Sequence, residues 1–230
     1  MKRQDYYKLI NDWSVFLVKE NTENLDIDSQ IKKAVAKISE YPDQKLKILI
    51  TKYGREFVLR ADLVDSSDKI LLDEVAYITF NKFSHKYVND QEGVERNCYM
   101  IDFTEFVKYN LGPLMYDIIM EFASRDESFL CCDRFEISGE AQNLWKNYFS
   151  RRGSDVKQVQ LDIDNDNLDP KEFPNLTPQF EDDFRQNMSI EDKGKNWTES
   201  PFSKGYYKLD NKVTDFIKNN DLFIYKEITH

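Results

Sequence analysis

The sequence predicts an α/β (α+β) protein, and three observations lead there. After Pro42 the apolar period changes from helical to alternating. Leu46, Ile48 and Ile50, then Phe57, Leu59, Ala61 and Leu63, each line one face of an extended segment, with Tyr53-Gly54 between them. From Cys98 to Gly153 the order is strand, glycine turn, helix, short apolar strand, helix, as in an α/β unit. The composition is 40% hydrophobic and 14% aromatic, which supplies a core and is unlike that of a disordered chain.

Taken in order, the elements divide a single domain of 1–230 into four parts. Over 1–42, Tyr7, Ile10, Trp13, Phe16 and Leu17 recur at helical spacing across 4–19. Asp28 can cap a second helix whose face carries Ile31, Val35 and Ile38 and which Pro42 ends. The core, 43–153, begins with the hairpin, adds a third strand at 74–82, a polar loop at 84–96 and a fourth strand around 98–103. Gly112-Pro113 then opens a helix with Leu114, Met115, Ile118, Ile119 and Phe122 on one face; proline is favoured there because the first turn has no use for its missing N–H. Phe129–Cys132 reads as a short strand. Ser138 caps a helix whose apolar face is Ala141, Leu144, Trp145 and Tyr148 and which stops near Gly153. Residues 154–200 hold twelve Asp and Glu against five Lys and Arg, an acidic, loop-rich excursion with a short strand at 156–161. The closing part, 201–230, recovers a helix at 209–219 and a strand at 222–227.

Charge and cysteine usage exclude several classes. A net charge of −10 repels phosphate backbones and anionic lipid, so neither general nucleic-acid binding nor membrane binding is expected. Lys45, Lys47, Lys52 and Arg55 come nearest to a local basic patch, and a solvated strand face is the plain reading of them. No apolar run approaches the roughly 20 residues that a membrane helix needs, and no apolar signal core follows Met1, so the chain is read as cytoplasmic. Cys98, Cys131 and Cys132 make no secreted disulfide framework; neighbours on a strand, Cys131 and Cys132 face opposite ways. Asp162, Asp164 and Asp166 match the first, third and fifth places of a calcium loop. Asn167 and Phe173 stand where that loop needs glycine and a bidentate carboxylate, so no metal is expected.

Residues 109–152 resemble the GNAT-type N-acetyltransferase fold, in a form common among bacteriophage acetyltransferase-like proteins. The matching stretches are Asn110-Leu-Gly-Pro-Leu-Met-Tyr-Asp117, then Cys132-Asp-Arg134, then Ser138, Ala141, Leu144-Trp145, Tyr148 and Arg152. The resemblance implies a mixed, mostly antiparallel central sheet flanked by helices, with the fourth and fifth strands splaying apart beside Gly112. It also implies acetyl-CoA as cofactor, its pyrophosphate against backbone N–H groups at the helix start, where free donors and the helix dipole favour an anion. Cofactor contacts then fall on Lys108, Asn110, Leu111, Gly112 and Leu114. Gly112 stands at the last glycine of the family's turn, whereas Asn110 and Val107 replace an earlier glycine and a polar residue.

Acetyl transfer needs a base for the attacking amine, a donor to the thioester oxygen and an acid for the departing thiolate. By family position the acid is Tyr148; its structural alternative is a core aromatic. Asp102 and Glu105 are the candidate bases, while Asp117 and Glu121 lie on the polar face of the helix. Two functions follow. One is an acetyl-CoA-dependent N-acetyltransferase acting on an amine substrate. The other is a catalytically inactive GNAT-like phage protein working through a protein partner, as a virion or assembly component or an inhibitor of a host or phage factor. Host cytoplasm, or the virion, would then be its place. A third reading, an acidic mimic of nucleic acid, rests on net charge alone.

Overall fold

The structure, a computed structural model, describes residues 35–36, 43–88, 95–106, 111–132, 137–160 and 201–229. The expected helix at 4–19, all of the second helix except Val35 and Ala36 (both helical), and the acidic stretch 161–200 lie outside these residues.

The alternation after Pro42 builds the hairpin it announces. Strands β1 (Gln44–Tyr53) and β2 (Glu56–Asp65) pair antiparallel, with Leu46 opposite Leu63, Ile48 opposite Ala61 and Ile50 opposite Leu59. All six side chains are buried, because a period of two sends them to the same face. Gly54 sits first in the two-residue loop at φ 64°, the left-handed region that glycine enters without strain.

Strand β3 (Ile70–Val88) and β4 (Glu95–Phe106) continue the meander. They overturn the polar loop expected at 84–96: Tyr87 pairs with Arg96 and Val88 with Glu95. Backbone pairing between two sequential antiparallel strands extends the arm past the apolar residues that mark the strand in the sequence.

Helix α1 (Gly112–Arg125) crosses from β4 to β5 (Phe129–Cys131), which pairs parallel to β4. Helix α2 (Gly139–Ser150) follows, its Ala141 N–H donating to the Ser138 hydroxyl at 3.2 Å as the sequence expects of a cap. Then come β6 (Val156–Gln160), a 3-10 turn at Pro201–Ser203, β7 (Lys204–Lys208), helix α3 (Lys212–Lys218) and β8 (Phe223–Thr229). The eight strands form one sheet in the order β6-β7-β5-β4-β3-β2-β1-β8. Among the described residues only β4/β5 and β1/β8 pair parallel, so the sheet is mixed and mostly antiparallel. Strand β7 has no counterpart in the sequence reading. It is short, and four of its five residues are buried, so no alternation marks it.

The main core joins one sheet face (Ile48, Leu59, Ile78, Tyr99, Leu130, Tyr206) to α1, α2 and α3. Trp145 of α2 anchors it, edge-on to Tyr116 at 5.5 Å and tilted against Tyr206 at 5.3 Å. A smaller cluster on the other face holds Cys98, Met100, Phe129, Cys131 and Val159. Cys132 belongs to the main core, so the adjacent cysteines do face opposite ways. The buried Cys98 thiol instead donates to the Cys131 sulfur across β4 and β5, at 2.9 Å. Among the described residues no helix is long and apolar enough to cross a membrane.

Candidate functional site

Parallel strands joined by a helix leave a crevice at their C-terminal ends, where the chain turns into the helix. Among the described residues β4 pairs with β5 from Cys98 to Met100, while on its other side it stays paired with β3 to Phe106. Its pairing with β3 slips by one residue at the same place: Phe80 faces Ile101 and Thr79 faces Phe103, leaving Asp102 as the extra residue of a bulge. A bulge frees backbone groups from the ladder and re-aims side chains. Past Met100, therefore, β4 presents its β5 side without a strand partner among the described residues.

Helix α1 is the crossover between these two strands. Leu111 is its N-cap and makes no side-chain cap; Pro113 lies in the first turn, which carries no acidic residue. The first intrahelical bond runs from Met115 N–H to Leu111 O at 2.8 Å. Geometry alone leaves the N–H groups of Gly112 and Leu114 without an intrahelical acceptor. Leu111 and Leu114 bury their side chains in the core, so they hold the helix start in place and offer a ligand only their backbone. Gly112 is half-buried. Of the expected cofactor residues Lys108 and Asn110 lie outside the described residues, as do Val107, Asp133, Arg134 and the acidic series from Asp162 to Asp169. Asp102 and Glu105 are exposed on β4 past Met100, and Asp102 accepts from the Thr79 hydroxyl at 3.3 Å.

Tyr148 stands elsewhere. It is 2% exposed, and its hydroxyl donates to Asp117 Oδ1 at 3.2 Å. The guanidinium of Arg152 lies 5.5 Å from its ring centre and reaches Asp117 Oδ2 at 3.2 Å. Arg152 also bonds Asp155, and the Lys208 ammonium sits 3.3 Å from Asp117, 3.7 Å from Asp155 and 3.8 Å from Glu121. None of these three contacts gives Lys208 Nζ a hydrogen bond, so its attraction to the carboxylates is through charge. Burial, and then the Asp117 charge, push the Tyr148 phenol well above its usual pKa. The hydroxyl is buried and committed to Asp117, an arrangement that fits the structural alternative for Tyr148.

The polar side of α1 is thus not a solvent face. Asp117 and Glu121 are both fully buried, under β7 and α3. Glu121 accepts from the backbone N–H groups of Val213 and Thr214 at 2.9 and 2.8 Å and from the Thr214 hydroxyl. These are the second and third residues of α3, whose own N-cap Asn211 makes no side-chain capping bond, so a carboxylate from α1 caps α3. In the sequence the only local signal of this network is the i,i+3 pair Arg152 and Asp155.

That pair makes stability fall in acid. Burial pushes Asp155 up, but the bond and charge of Arg152 outweigh it and hold the carboxyl below 3.8. A depressed folded pKa stabilises above the unfolded value and is lost as pH falls through the folded one. Urea unfolding of wild type is expected to weaken below about pH 4, and an Asp155→Asn variant, starting less stable, to show a flatter acid limb. Parallel limbs would assign the acid sensitivity to other carboxylates.

A cavity of about 570 Å³ lies at the opposite end of α1, against Arg125 and Asp126, away from Gly112. No family model, curated protein or solved structure matches the chain, so the geometry of β4, β5 and the start of α1 carries the functional reading by itself.

Proposed function

We propose that this chain is a GNAT-type, phage-type protein that binds acetyl-CoA at the start of α1 and acts as an N-acetyltransferase, its amine substrate entering over β4. The observation that carries the reading is the coincidence of three features. Among the described residues the parallel β4/β5 pairing ends at Met100, β4 bulges at Asp102, and the crossover helix between the two strands opens at Gly112 without a side-chain cap. The backbone N–H groups of Gly112 and Leu114 receive the pyrophosphate, and β4 past Met100, which has no partner on its β5 side among the described residues, supplies a donor to the thioester oxygen. Acetyl-CoA supplies the acyl group as a thioester. Asp102 and Glu105 are the exposed carboxylates on that strand that can take the proton from an attacking amine. The acid for the departing thiolate is assigned to solvent, because Tyr148 is committed to Asp117.

The same commitment favours a second reading, in which the fold binds without catalysing and serves a protein partner. Titration calorimetry with acetyl-CoA and with CoA tests both. Wild type is expected to bind in the micromolar range, and Gly112→Glu, which sets a carboxylate against the pyrophosphate, to lose at least about a hundredfold. Binding without release of free CoA across a panel of amines selects the second reading. No heat at millimolar ligand from a folded sample rejects a cofactor site.

A further inference from the structure

The cavity at the far end of α1 has a composition of its own. It opens between the β1–β2 turn, the start of β4, the last turn of α1 and the end of β8. Phe57, Tyr99 and Phe122 line it, with ring centres 5.3 to 5.9 Å apart, each pair edge to face. Four cations reach it: Lys52, Arg55, Lys82 and Arg125; against them stand two acids, Asp126 and Glu227. Both acids are committed. Asp126 pairs with Lys82 and accepts from the Tyr99 hydroxyl at 2.8 Å, and Glu227 holds Arg125 at 2.6 Å and accepts from the Tyr225 hydroxyl at 2.6 Å. Lys52 and Arg55 have no carboxylate partner among the described residues; Lys52 lies 5.7 Å over the Phe57 ring. Among the described lining residues, four cations less two acids leave an excess of two positive charges around an aromatic-lined cavity, in a chain whose net charge is −10.

An isolated surface lysine is ordinary. Two cations without a carboxylate partner among the described residues, at the mouth of an aromatic-lined cavity, are a different arrangement, because the cavity excludes water from one side of an anion while the rings pack its apolar part. At about 570 Å³ the space is that of a small molecule. We propose that this cavity binds a small organic anion. A carboxylate, sulfonate or phosphate group sits between Lys52 and Arg55, and a flat ring lies toward Phe57, Tyr99 and Phe122. The site is independent of the acetyl-CoA reading, since it lies at the other end of α1. A divalent cation does not suit it, because both carboxylates already hold cations.

The probe is 8-anilinonaphthalene-1-sulfonate, a sulfonate on a fused ring, titrated by fluorescence into the full chain. Saturable binding is expected, weakened about tenfold by Lys52→Glu and by Arg55→Glu, the value of one lost charge-assisted contact. Both positions are exposed, and unchanged circular dichroism checks the fold. Gly112→Glu is expected to bind the dye like wild type. Displacement by benzoate or by adenosine monophosphate tells whether the natural anion is a carboxylate or a phosphate. Unaltered affinity in both charge-reversal variants, an effect of Gly112→Glu equal to theirs, or displacement by neither competitor would overturn the proposal.

Discussion

Replacing Asp117 by alanine is expected to destabilise the protein by about 3–5 kcal/mol, the cost of breaking a buried ion network by removing one partner. Asp117 is the hub: it takes the Tyr148 hydroxyl, the Arg152 guanidinium and the Lys208 ammonium, and it is 0% exposed. Without it two buried cations keep only Asp155 and Glu121, and the phenol loses its acceptor. The effect measures the penalty of an unbalanced charge more than the worth of the intact network, since such networks often do no better than apolar packing. Asp117→Asn keeps the shape and an acceptor for Tyr148 but leaves both cations in place, so it is expected to recover only part of the loss. Urea unfolding checks both, and a cost under about 1 kcal/mol for alanine would mean that water reaches the network.

Glu121→Ala is expected to cost about 3 kcal/mol and to do so locally, at α3. The loss combines a helix cap, worth about 1 kcal/mol, with two buried N–H groups left without an acceptor. Hydrogen exchange should accelerate first at Val213 and Thr214, the two amides that Glu121 accepts from. A uniform change across the sheet would instead mark a global loss. Glu121 also has a pH signature of opposite sign to Asp155. Burial raises its carboxyl above 4.5, against the opposing Lys208 charge and the α3 donors. The native state therefore holds this proton more tightly than the unfolded chain, and Glu121's contribution to stability declines as pH rises from 4.5 through the raised value. Glu121→Gln removes that slope.

The parts of the fold legible in the sequence are those set by local chemistry. Alternation gave β1 and β2, a glycine able to take positive φ gave their turn, Gly112-Pro113 gave the start of α1, and Ser138 gave the cap of α2. What stayed hidden depends on residues far apart in the chain. Asp117 and Glu121 look like a solvent face because a helix wheel cannot show that Lys208, Val213 and Thr214, about 90 residues later, cover it. Strand β7 escaped because burial on both faces erases alternation. Tyr148 matched a family position, yet its role depends on Asp117 and Arg152 around its hydroxyl and ring. The basic quartet also resolved only in three dimensions. Lys47 pairs with Asp68 at 2.8 Å, whereas Lys52 and Arg55 stand at the cavity mouth.

The proposed seat of acetyl-CoA is the start of α1, beside β4 past Met100. Amide chemical-shift mapping on the isotope-labelled full chain, titrated with acetyl-CoA, tests it most directly. The largest shifts are expected at Gly112 and Leu114 and over Ile101–Phe103, with Lys52, Gly54 and Arg55 unmoved. Shifts confined to those last residues, or none at millimolar ligand, would contradict it.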